Sequence, residues 1–291
     1  MRKDLRGVPL SNLAASTLVC LSIMTGTTQA HPPWDDQLDV LAEQIREEPL
    51  NPSLYVRRAD LKKELGDLKG ALSDYDRATE IDPAFVLADL GRGLLYLGDE
   101  DPELAQFYLD RFLEQHPDHA KALLASARSL RQLQDFATAA DRYERAIDGF
   151  KMVKPGFFVE LAEVQVAAGE HIAAVETLDE GLRRFGALTS LQIRAIDILA
   201  DRGETQEALH RLEKLSKTSP QTAKWLLRKG EVLESAGRWA EAEAAYSDSK
   251  VELDKQLTGN RKSRSLMALE EQIGRAQRRL ESRSSSQGES S

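Results

Sequence analysis

The chain has 291 residues, 30% of them charged and only 6% aromatic, with a formal net charge of −9. An acidic surface repels phosphate backbones and anionic lipid, which argues against nucleic acid and membrane surfaces as partners. The single cysteine rules out a disulfide framework.

Residues 1–30 follow the layout of a secretory signal peptide. Arg2, Lys3 and Arg6 form a basic start, Leu13 to Met24 an apolar core, and Thr25 to Ala30 a small-residue exit. The core falls short of the ~20 apolar residues that a stable membrane span needs. The sequence therefore predicts cleavage near Ala30 and a periplasmic or secreted product. Cys20 lies inside this core, so cleavage would leave no thiol for catalysis or metal binding.

Residues 31–51 form a linker followed by Leu38, Leu41 and Ile45 at helical spacing. From Pro52 onward the chain repeats about every 34 residues. Ala59, Gly93, Ala127, Ala162 and Gly230 share one small-residue position. Ala71, Ala105, Ala139, Ala174, Ala208 and Ala242 share a second. Tyr75, Leu109, Tyr143, Leu178, Leu212 and Tyr246 follow four residues later, and Pro83, Pro117 and Pro220 close three of the units. Glycines 66, 169, 203 and 237 mark the turns inside units, where positive φ is needed. One extra residue enters around Lys154-Pro155-Gly156, a local irregularity in the stacking. Leu266, Leu269, Ile273, Ala276 and Leu280 lie on one stripe of a capping helix within 257–281, and the serine-rich residues 282–291 read as a disordered tail.

A 34-residue period with A-x3-(F/Y/L) and a closing proline resembles the tetratricopeptide repeat. The resemblance covers residues 52–256 as six units. It implies an all-α, superhelical solenoid of helix–turn–helix units that binds a protein or peptide partner on its concave face. The function implied is a non-enzymatic interaction scaffold or adaptor, placed in the bacterial cell envelope by the signal segment. A periplasmic accessory protein that binds a small molecule or metal for an enzyme is the alternative.

The resemblance also implies that the first helix of each unit lines the concave face. There the fifth position reads Val56, Leu90, Leu124, Val159, Ile193 and Leu227, and unit two adds Leu87, Leu94 and Leu97. This column is either packing between neighbouring first helices or an apolar binding stripe, and Asp60 and Arg128 flank it as orienting charges. The expected partner site is thus Val56, Asp60, Leu87, Leu90, Leu94, Leu97, Leu124 and Arg128. A carboxylate clamp of the kind some family members carry is not supported: Lys224 and Arg228 match its third unit, but Arg194, Val159 and Glu163 break the rest. His116, Asp118 and His119 sit in a turn with no fourth metal ligand nearby, and His31 has no partner histidine. No nucleophile elbow, zinc-protease helix or phosphate loop is present, so neither an enzyme nor a cofactor is expected.

Overall fold

The computed structural model describes residues 34–218, 221–257 and 263–288, all of them helices and short connections. Helix α1 (Trp34–Glu47) precedes six helical hairpins: α2 (Pro52–Glu64) with α3 (Leu68–Ile81), α4 (Leu87–Gly98) with α5 (Pro102–Gln115), α6 (Ala120–Gln132) with α7 (Phe136–Gly149), α8 (Pro155–Ala167) with α9 (His171–Phe185), α10 (Thr189–Asp201) with α11 (Thr205–Thr218), and α12 (Thr222–Ser235) with α13 (Trp239–Leu257). Helix α14 (Arg264–Gly288) closes the stack. The signal segment, Cys20, His31 and Pro220 lie outside the described residues. Helix α14 runs past Ser282 to Gly288, so the backbone stays helical where a disordered tail was expected.

The repeating small residues explain why the helices pair so closely. All six alanines of the second small-residue position are completely buried, and so are Ala59, Ala127 and Ala162. With no side chain beyond Cβ they let paired helices approach, and Tyr75, Leu109, Tyr143, Leu178, Leu212 and Tyr246 fill the space alongside. The turns repeat as well. Asp67, Asp101 and Asp135, spaced by the period, each accept a backbone N–H three residues on, from Gly70, Leu104 and Thr138, which caps α3, α5 and α7. The residue before each cap is left-handed. It is Gly66 in unit one but Glu100 (φ 58°) and Gln134 (φ 62°) in units two and three.

The ends are sealed in different ways. Leu41 and Ile45 of α1 are buried, Ile45 against unit one. Ile273 and Ala276 of α14 are buried against unit six, and Lys250–Glu270 and Arg279–Glu234 ion pairs hold α14 at its edge.

Neighbouring units do not meet uniformly. The first helices pack directly between units one and two, two and three, and four and five; α6 and α8, and α10 and α12, make few backbone approaches. These two are closed instead by α7 on α8 and α11 on α12, and the first of them is where the extra residue enters. Ion pairs bridge both: Arg128–Glu160 and Arg131–Glu163 between α6 and α8, and Arg228–Asp197 between α12 and α10. At two of the other junctions the bridging pairs lie on the second helices instead, as Arg142–Asp110 and Arg211–Asp179.

Candidate functional site

Helix α4 has two faces with opposite roles. On one, Asp89 and Arg92 are buried charges. Arg92 Nη2 donates to Asp76 Oδ1 at 2.7 Å, and its Nη1 donates to Thr79 Oγ1 at 3.0 Å and Asp89 Oδ1 at 3.3 Å. Arg111 approaches the other Asp89 oxygen at 3.3 Å, and the Arg92 guanidinium lies 5.3 Å from the Tyr108 ring centroid. Burial pushes the Asp89 carboxyl above its ordinary value, against the pull of Arg111 and Arg92. A buried network with this many partners has one good arrangement, so it fixes the rotation of α4 about its axis.

That rotation turns Leu87, Leu90 and Leu94 toward α2. With Val56 and Phe85 they form the apolar wall of a groove of about 530 Å³, whose rim carries Arg57, Asp60, Lys63, Glu64 and Lys121. Leu87 is 45% exposed; Leu90 and Leu94 are half-buried and rest on the central core. Five of the residues expected at a partner site therefore share one groove: Val56, Asp60, Leu87, Leu90 and Leu94.

Three expected residues do not line it. Leu124 is buried and Leu97 half-buried within the central core, so both pack the array. Arg128 is held by Glu160, to which its Nε and Nη2 donate at 2.8 Å each, so its charge is matched inside the protein. Of the aliphatic column, Val56, Leu124 and Leu227 are buried, while Leu90, Val159 and Ile193 are half-buried. Packing therefore accounts for much of the column, and exposed apolar surface concentrates in unit two. Asp60 is exposed but already accepts from Tyr75 Oη at 2.7 Å and Lys63 Nζ at 3.4 Å.

Lys63, Phe85 and Lys121 were missed by the sequence reading. The signal for Lys121 was present: Ser53, Leu87 and Lys121 are one period apart, and all three line the groove. A second recurring feature was also missed. Three buried tyrosines donate to carboxylates at the inner ends of their rings: Tyr75 to Asp60, Tyr143 to Glu160 at 2.9 Å, and Tyr246 to Glu234 at 2.6 Å. Burial pushes each hydroxyl well above the usual tyrosine range.

The remaining candidates have structural occupations. His119 caps α6, its Nδ1 accepting from Ala122 N at 3.2 Å, and the rings of His116 and His119 both lie on Phe112. Burial pushes His119 below its ordinary value, with a smaller contribution from His116. Arg228 is taken by Glu231 and Asp197, and the Lys224 ammonium sits 5.2 Å from the Trp225 ring centroid. Among the described residues no group of three His, Cys, Asp or Glu side chains is placed to hold a metal, and no helix is long and apolar enough to cross a membrane.

Among curated proteins none matches the chain in sequence. Solved structures share its fold at low identity. In the complex of Naa15/Naa10 bound to HypK-THB, the aligned chain is 17% identical with a TM-score of 0.55, over 84% of this chain and 36% of that one. PilW, a widely conserved type IV pilus biogenesis factor, is 19% identical with a TM-score of 0.51 over 64% and 86%. A tetratricopeptide repeat protein from Parabacteroides merdae ATCC 43184 is 18% identical with a TM-score of 0.49 over 82% and 92%. Models of the tetratricopeptide repeat match residues 52–85, 90–151, 124–189 and 193–255. Those segments span most of the chain and coincide with the six helical hairpins: the chain belongs to the tetratricopeptide repeat family.

Proposed function

We propose that this protein is a non-enzymatic adaptor of the bacterial cell envelope, exported to the periplasm, that holds a segment of a protein partner in the groove between α2 and α4. The family supplies the general part, because a tetratricopeptide array is a scaffold for protein–protein interaction. One observation carries the site: Leu87 stands 45% exposed beside Leu90 and Leu94, on a wall that the buried Asp89–Arg92 network holds in place. A strip of leucines along a helix offers anchors to a bound helix or extended segment. Full burial of one such side chain contributes about 1.5–3 kcal/mol.

Affinity capture from native envelopes tests the site. The wild-type chain should retain a partner that the Leu87→Ser, Leu90→Ser double variant loses; equal capture by both would remove the groove from the reading. Export rests on the basic start, short apolar core and small-residue exit of residues 1–30. N-terminal sequencing of protein released by osmotic shock should begin at His31. Recovery of an intact Met1 form from the cytosol would end the envelope assignment and leave the groove untouched.

A further inference from the structure

The rim of the α2–α4 groove carries both signs of charge, but only some of them are matched within the protein. Asp60 is engaged by Tyr75 and Lys63. Arg57 and Lys121 are exposed and make no ion pair or hydrogen bond among the described residues. Farther along the inner surface three arginines are matched, Arg128, Arg131 and Arg228 by Glu160, Glu163 and Asp197. Cationic charge is therefore left available beside Leu87, the most exposed of the groove leucines.

The charge is also ordered along the groove. Leu87 and Lys121 belong to the first turns of α4 and α6, and Arg57 to the second turn of α2, whereas Glu64 is the last residue of α2. Seven residues of helix place Arg57 and Glu64 roughly 10 Å apart along the axis. Ser53, Leu87 and Lys121 line the same groove, so the three first helices begin at the same end, and the partial positive charge of their N-termini adds to that of Lys121 and Arg57. The groove is cationic where the first helices start and anionic where α2 stops.

We infer that the occupant is an acidic amphipathic peptide segment of a protein partner. It sets apolar side chains on Leu87, Leu90 and Leu94 and places one or more carboxylates against Arg57 and Lys121. The inference rests on the groove reading given above and adds the partner's chemistry and direction. A long polyanion fits poorly, because Asp60 and Glu64 share the rim and the chain as a whole carries −9.

Panning the full chain against a phage-displayed library of random short peptides reads that chemistry directly. Enriched peptides should combine leucine, isoleucine or phenylalanine with neighbouring aspartate or glutamate. At low salt the best of them should bind about tenfold more tightly than its own glutamine-substituted form. In the Arg57→Gln, Lys121→Gln variant this preference should vanish, while the glutamine form binds both proteins alike. Both substituted side chains are exposed, so the fold is not at stake. A basic or uncharged consensus whose binding is lost in Leu87→Ser would overturn the acidic assignment and leave the groove standing. Enriched peptides indifferent to Leu87→Ser and to Leu90→Ser would overturn the groove, and with it the inference. Absence of enrichment would count against both, as would a dimer in solution that Leu87→Ser converts to monomer.

Discussion

The ring of Tyr75 rests against the bare Cα of Gly91: a Cβ built there would stand 2.3 Å from Tyr75 Cε1. Helix propensity alone favours alanine over glycine by about 1 kcal/mol, but overpacking a buried contact costs about 1–3 kcal/mol. Gly91→Ala should therefore destabilise the array, measured as a lower urea midpoint. Gly98→Ala, at a position where nothing lies within 4 Å, is the control and should be neutral or slightly stabilising. Equal effects of the two would mean that the Tyr75 contact is loose.

Glu160 ties stability to pH. Burial opposes its ionisation, but hydrogen bonds from Arg128 and Tyr143 and the charges of Arg128 and Arg131 outweigh that and hold the carboxyl below its ordinary 4.5. A carboxyl depressed on folding binds its proton more readily in the unfolded chain. Its contribution is present above the unfolded value and is lost as pH falls through the folded one. Melting temperature should drop on acidification from about pH 5 to about pH 3, and Glu160→Gln should flatten part of that slope. An unchanged slope in the variant would show that Arg128 and Tyr143 do not stabilise the ionised form.

Gln134 occupies a left-handed turn position at φ 62° with its side chain exposed. Left-handed backbone costs a residue with a Cβ about 1–2 kcal/mol, partly offset in glycine by the greater freedom of its unfolded chain. Gln134→Gly should raise stability by about 0.5–1 kcal/mol with an unchanged denaturant slope. A loss of stability would mean that the Gln134 side chain holds the turn.

The groove leucines should separate by burial. Leu87→Ser should cost less, about 0.5 kcal/mol, since nearly half of that residue's surface is in water. Leu90→Ser with Leu94→Ser should cost about 2 kcal/mol, because both rest on the central core. Circular dichroism melts would show the difference. A Leu87→Ser variant that unfolds as early as the double variant would make the whole strip core.

Much of the fold was legible because buried alanine leaves a recurring mark. Where two helices nearly touch, only a small side chain fits, and the six alanines from Ala71 to Ala242 record that contact once per period. The site was only half legible. Period and helix phase placed Leu87, Leu90 and Leu94 on the inner side, but phase does not say how deeply a neighbouring helix covers a position, and Leu124 proved buried where Leu87 is open. Charge was harder still. Arg57 and Arg128 look alike in sequence, and their difference depends on whether the next unit brings a carboxylate within reach, as Glu160 does for Arg128.

The junctions differ in how much of their contact salt can reach. All five joints are closed by apolar packing of a second helix on the next first helix, α7 on α8 and α11 on α12 included, and that packing is insensitive to salt. The joints between units three and four and between five and six are latched on the inner side by Arg128–Glu160, Arg131–Glu163 and Arg228–Asp197. Partly exposed latches of this kind contribute about 0–1 kcal/mol each and weaken as the screening length shrinks from ~8 Å toward ~3 Å. Every joint thus keeps its apolar closure at any ionic strength, and what added salt loosens at these two is the charge register between their first helices.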